Sequence, residues 1–151
     1  MKFTLSWLKE HLETKAKIDV ISDTLTNIGL EVENIEDKEN DYKDFTIAKV
    51  ISADKHPNAD RLKVCKVETS KGNVQVVCGA PNAKSGMFGV FAPSDTYIPG
   101  TNINLKKSEI RGVESNGMLL SERELGISDE HEGIVELEGK HKIGDSIASI
   151  Y

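Results

Sequence analysis

With 151 residues, 38% of them hydrophobic, the chain has room for one domain, or for one domain and a small appendage. No apolar run approaches the roughly 20 residues needed to cross a bilayer, which points away from a membrane protein. The opening Met1-Lys2-Phe3-Thr4-Leu5-Ser6-Trp7 lacks the apolar stretch of a signal peptide, and a cytoplasmic location is expected.

In chain order, Ser6 is positioned to cap a short helix with Trp7, Leu8 and Leu12 on one side. A second helix is predicted from Asp19, where Ile21, Leu25 and Ile28 share a face and Gly29 supplies a left-handed stop. Leu30-Glu31-Val32-Glu33 alternates like a strand with one wet face. Residues 1–36 thus read as a helix–helix–strand unit, too small to bury a core alone. Residues 37–44 are charged and read as a linker.

From Phe45 the signal turns to β. Phe45–Ile51, Leu62–Glu68, Asn73–Cys78, Met87–Ala92 and Gly133–Leu137 are short runs rich in Val, Ile and Phe. Turn chemistry separates them, with Lys71-Gly72 closing a tight hairpin. Ile103–Leu105 and Glu109–Val113 suggest a further hairpin, and Ser121–Leu125 a single helical turn. The expected class is α+β and mainly β: residues 45–151 form a five-stranded OB-type barrel behind the small N-terminal unit. A β-sandwich is the alternative that periodicity leaves open.

The net charge of −6 conceals a pattern. Residues 45–113 hold ten basic against five acidic side chains, while residues 1–44 hold six against eleven and residues 114–151 hold three against nine. A basic middle between acidic flanks is the footprint of phosphate binding. Cys65 and Cys78 form no CxxC, and His11, His56, His131 and His141 are scattered, so both cysteines read as reduced core residues and no metal site is expected. No P-loop, dinucleotide fingerprint, nucleophile elbow or HExxH pair appears, and no catalytic residue is assigned.

Three blocks remain. His56-Pro57-Asn58-Ala59-Asp60-Arg61-Leu62-Lys63 is a sharp turn, with Asp60 as its side-chain cap, feeding a basic strand that also carries Lys66. Val77-Cys78-Gly79-Ala80-Pro81-Asn82-Ala83-Lys84 ends a strand in a loop offering an amide and an ammonium. Ile110-Arg111-Gly112-Val113-Glu114-Ser115-Asn116-Gly117-Met118-Leu119-Leu120-Ser121 combines a guanidinium, hydroxyls and small residues. Phe88 and Phe91 read as core. With Tyr97 they are the aromatics nearest these blocks, so base stacking is a weak expectation.

The ordered series HPNADRLKVCKV, VVCGAPNA and IRGVESNGMLLSE resembles the tRNA-binding OB domain found in several synthetases and in free-standing tRNA-binding proteins. The first 36 residues, with MKFTLSWLKEHL and IGLEVE, resemble the opening of the bacterial phenylalanyl-tRNA synthetase β subunit family. That resemblance implies a segment ending at Tyr151 of a much longer subunit. It also implies tRNA as partner, an α subunit in an α2β2 assembly, and the rest of the β subunit alongside. ATP and Mg belong to the full enzyme, with no cofactor and no catalysis in this segment. The tRNA-binding candidates are Arg61, Lys63, Asn82, Lys84, Lys106, Lys107, Arg111, Ser115, Asn116 and Ser121. A structural docking module of the synthetase, or a free-standing tRNA binder, is the alternative.

Overall fold

Thr4, not Ser6, starts the first helix. Its backbone is extended and its Oγ1 accepts the Trp7 N–H at 3.2 Å, as a cap must. Ser6 lies one residue inside α1 (Leu5–His11), where its backbone is already helical. The computed structural model describes all residues from Met1 to Tyr151. They divide into two compact units, Met1–Glu36 and Asp37–Tyr151. In the first, α2 spans Ile18–Asn27, with Asp19 in its first turn and Gly29 at φ +99 past its end. Leu30–Glu33 forms no strand, because this unit offers no strand edge to pair with. Ile21 alone is buried here, while Trp7, Leu12, Val20 and Ile28 are exposed.

The stretch 37–44 is not a linker. Asp37 caps a one-turn helix, α3 (Lys38–Asp41), through its side chain. Tyr42 then turns inward and donates its hydroxyl to the Leu125 carbonyl at 2.8 Å. One aromatic residue with a hydrogen-bond partner outweighs the charge of its neighbours.

The second unit is built on β1 (Thr46–Lys55), β2 (Lys63–Thr69), β3 (Gly72–Cys78) and β4 (Phe88–Ala92). Three short pairs follow: β5 (Tyr97–Ile98) with β6 (Ile103–Asn104), β7 (Ser108–Ile110) with β8 (Val113–Ser115), and β9 (Met118–Leu119) with β4. The antiparallel sheet runs β3-β2-β1-β4-β9 and curls into a half-barrel of OB type. On the β3 side the Asn116 N–H bonds the Gln75 carbonyl and the Val77 N–H bonds Ser115 Oγ. The fifth strand is therefore β9, not Gly133–Leu137. That segment pairs with β4 only at the single Phe88–Leu137 bridge, since β9 already occupies the edge at Phe91 and Ala92.

Two cores sit on opposite faces of β1 and β4. The barrel interior holds Val50, Cys65, Val67, Val76, Cys78 and Phe91. Burial pushes the Cys65 thiol up to about 11 and raises that of Cys78 as well. Ile47, Val90 and Ala92 face the other way, under Phe45, Leu120, Leu125, Val135 and Ile147. The irregular chain after Leu119 thus covers the outer side of β4 and the start of β1. The outer side of β2, β3 and the end of β1 is not covered by that chain.

Candidate nucleic-acid interface

Strand register decides which cations face solvent. Lys63, Cys65 and Val67 alternate onto the barrel interior, paired with Cys78, Val76 and Val74. Val64 and Lys66 point outward, with Asp54 and Ser52 beside them on β1 and Val77 and Gln75 on β3. A bulge at Ile51 resets β1 so that Ser52 pairs with Lys66. The result is a shallow groove of about 400 Å³ lined by Ser52, Asp54, Val64, Lys66, Asn73 and Gln75.

One end of this groove is a braced corner. The turn after β1 closes by the His56 N–H to the Leu62 carbonyl at 3.0 Å. Buried His56 accepts the Asn58 N–H on Nδ1 and, in that tautomer, donates Nε2–H to the Ile110 carbonyl at 3.0 Å. Asn58 Nδ2 donates to the Arg111 carbonyl. Thus the 56–62 turn is fastened to the tip of the β7–β8 hairpin. That tip is a two-residue turn with φ +49 at Arg111 and φ +83 at Gly112. Arg61 and Arg111 are both exposed at this corner and neither is in an ion pair. Asp60, expected to cap the turn, is exposed and lies 3.8 Å from the Lys55 ammonium. His56 does the capping instead. The signal was available: a histidine ahead of Pro-Asn offers a ring nitrogen at hydrogen-bond reach of the turn.

The other expected site residues divide in two groups. Lys63 donates its ammonium to the carbonyls of Pro81 and Ala83 at 2.9 and 2.7 Å. Asn82 clamps Ile134, donating to its carbonyl and accepting its N–H. Buried Ser115 accepts from Val77 and donates to the Gly117 carbonyl. Buried Ser121 is bonded through its N–H and hydroxyl to the Glu124 carboxylate. These four side chains brace loops rather than face solvent. Lys84 and Lys107 are exposed but paired with Glu136 and Glu114, at 2.7 and 3.0 Å. Such exposed pairs are weak and exchange readily. Lys106 is exposed and unpaired, and Asn116 Oδ1 accepts from Ser94. The structure sets Arg61 and Arg111 on two loops that His56 and Asn58 fasten together, with Lys66 along the groove, and disperses the rest.

Residues 45–146 match the family described as "Putative tRNA binding domain". The chain belongs to that family. The match covers the barrel and its C-terminal wrap and leaves the first unit outside. Over nearly its whole length, this tRNA-binding-domain chain is also similar to phenylalanine–tRNA ligase beta subunits. It is 60% identical to that of Bradyrhizobium diazoefficiens, over 98% of this chain and 19% of the relative. With that of Brucella abortus the identity is 53%, over 99% of this chain and 18% of the relative. The chain therefore spans about a fifth of the length of the curated relatives it matches. A solved MetRS-related protein from Pyrococcus horikoshii covers 75% of this chain and 97% of its own at a TM-score of 0.52 and 20% identity. That likeness concerns the fold alone.

Proposed function

We propose that the chain is the tRNA-binding part of a phenylalanine–tRNA ligase beta subunit. In this reading residues 45–151 are the tRNA-binding OB domain, and residues 1–36 belong to a domain completed by a later part of the polypeptide. The segment performs no aminoacylation by itself. It serves a cytoplasmic α2β2 enzyme whose ATP and Mg are bound elsewhere, the α subunit being its assembly partner.

The observation that carries this reading is the braced corner, where Arg61 and Arg111 stand exposed and unpaired beside an open groove. Lys66 lies on the groove floor, with Lys84, Lys106, Lys107 and Asn116 as peripheral contacts. Arg61, Arg111 and Lys66 stand outside any ion pair, which favours contacts to phosphate, so binding is salt-dependent and tolerant of sequence. Contact with three to five phosphates gives a slope of log K against log salt of about −2 to −3.5, at ~0.7 per phosphate of a single strand. The test is fluorescence anisotropy of labelled tRNA at several salt concentrations. Replacing Arg61 by Ala together with Arg111→Asn, which tolerates the left-handed turn, flattens the slope by about 1.4. Lys9→Ala with Lys15→Ala in the first unit leaves it unchanged. Equal slopes for wild type and the arginine double variant would remove the corner from the site.

A docking role inside the synthetase is the second reading. The apolar residues left exposed in the first unit, Trp7, Leu12, Val20 and Ile28, favour it. Absence of tRNA binding even at low salt would select it.

A further inference from the structure

The β5–β6 hairpin holds an aromatic ring in the open, on a support that other parts of the barrel fix. Tyr97 is 50% exposed, whereas Tyr42, Phe45 and Phe91 in the same unit are buried. Its neighbour Ile98 is 1% exposed and anchors the hairpin in the core. At the loop, the Gly100 N–H bonds the Glu124 carbonyl at 2.9 Å. A Cβ at Gly100 would run into the Arg123 carbonyl, so the loop backbone lies directly on the 123–126 turn. The Tyr97 hydroxyl donates to Asn102 Oδ1, which pins the ring from its far end. Asn102 itself sits at φ +54, a conformation asparagine tolerates.

The register adds polar groups around the ring. Asn104 pairs with Tyr97 across the hairpin, so both side chains rise from the same face. Lys106, exposed and unpaired, follows two residues after Asn104, just past the end of β6. Since Asn102 accepts the tyrosine proton on its oxygen, both hydrogens of its Nδ2 remain free to donate. An aromatic face with amide donors and acceptors at its rim and an ammonium beyond is the chemistry of an unpaired nucleobase. The base stacks, the amides meet its edge and the cation meets the adjoining phosphate. A Tyr held by its hydroxyl loses little rotamer freedom on binding, which favours this use over a flexible contact.

We propose that Tyr97 is a stacking platform for one unpaired base of the bound RNA, with Asn102 and Asn104 at the base edge and Lys106 on the flanking phosphate. This rests on the RNA-binding reading and adds to it a contact that is not electrostatic. The two fail in different ways.

The probes are labelled tRNA and a short single-stranded RNA carrying one 2-aminopurine. Wild type binds both and quenches the 2-aminopurine, because stacking on the ring removes its fluorescence. Tyr97→Leu weakens binding roughly 5- to 100-fold, abolishes the quench and leaves the salt slope unchanged. Tyr97→Trp restores affinity and quench, which a merely structural role of the tyrosine would not produce. Circular dichroism melts confirm that the variants fold. Wild-type affinity in Tyr97→Leu, or a loss that Tyr97→Trp does not restore, would overturn the stacking site while the phosphate contacts stand. Wild-type protein that binds neither RNA at low salt would overturn both readings.

Discussion

Lys63 is the residue at which the sequence pattern and the structure disagree most usefully. Inside a basic motif it reads as a phosphate contact. In the folded chain its ammonium joins the Pro81 and Ala83 carbonyls, tying the loop after β3 back to the start of β2. Replacing it by Met keeps the aliphatic stem and deletes only the charged donor. Hydrogen bonds to a charged group contribute about 1.5–3 kcal/mol each. Lys63 is only half-buried, so water will partly take over at the freed carbonyls, and a total loss of about 1–2 kcal/mol is expected. For a domain of this size that lowers the melting temperature by roughly 3–8 °C.

The same variant should bind tRNA with an unchanged salt slope, because no phosphate contact is lost. Lys66→Met is the mirror case. Its ammonium stands over the open groove without a partner, so the melting temperature should hold while the slope flattens by ~0.7. Thermal melts and salt-titrated anisotropy on the two variants settle the assignment. A Lys63→Met protein that melts like wild type and flattens the slope would refute the reasoning from register.

Two further substitutions test the packing. Gly117 has φ +108, and a Cβ there would lie 2.5 Å from Phe91 Cζ and 2.8 Å from the Ala92 carbonyl; Gly117→Ala should cost more than about 3 kcal/mol in urea unfolding, as overpacking and backbone strain combine. Gly72→Ala, with φ +111 and nothing nearby, should cost only about 1 kcal/mol. Cys65 ionises near 9.0 when unfolded and at about 11 when folded, chiefly because burial disfavours the thiolate. Its contribution to stability is therefore complete below pH 9 and is lost as pH rises toward 11, by about 2–3 kcal/mol in all. Cys65→Ala should show a shallower alkaline decline in melting temperature, and parallel curves would exclude the thiol.

Strands β1 to β4 were legible because each is long enough for its alternation and bounding turns to speak for themselves. Strands β5 to β9 are two or three residues long, and packing rather than propensity places them. Gly133–Leu137 has the composition of a strand yet forms none, since β9 had taken the edge it needed. Tyr42 was hidden among charges in a stretch whose average said linker. The inward turn of Lys63, by contrast, was legible and missed. Residues 63, 65 and 67 share one face, and Cys65 and Val67 already marked that face as core. The partner that pins the Tyr97 ring, Asn102, is local, but the seat of that hairpin on the Arg123–Glu124 backbone had no local signal.

The three motifs that identify the family turn out to specify loops more than contacts. His56 and Asn58 hold the hairpin tip, Asn82 holds Ile134, Ser115 holds Val77 and Ser121 holds Glu124. Their polar groups are occupied by the chain itself, which leaves Arg61, Lys66 and Arg111 as the motif side chains proposed to meet the ligand. This changes how substitutions in the motifs must be interpreted. Asn58→Ala frees the Arg111 turn and weakens binding by displacing a cation, with little change in the number of phosphates met. Arg61→Ala removes a contact and lowers the slope by ~0.7 with stability intact. Affinity alone cannot separate these cases, whereas the salt slope measured beside the melting temperature does. If Asn58→Ala lowered the slope without altering the melt, its side chain would be a ligand contact and the brace would not be its role.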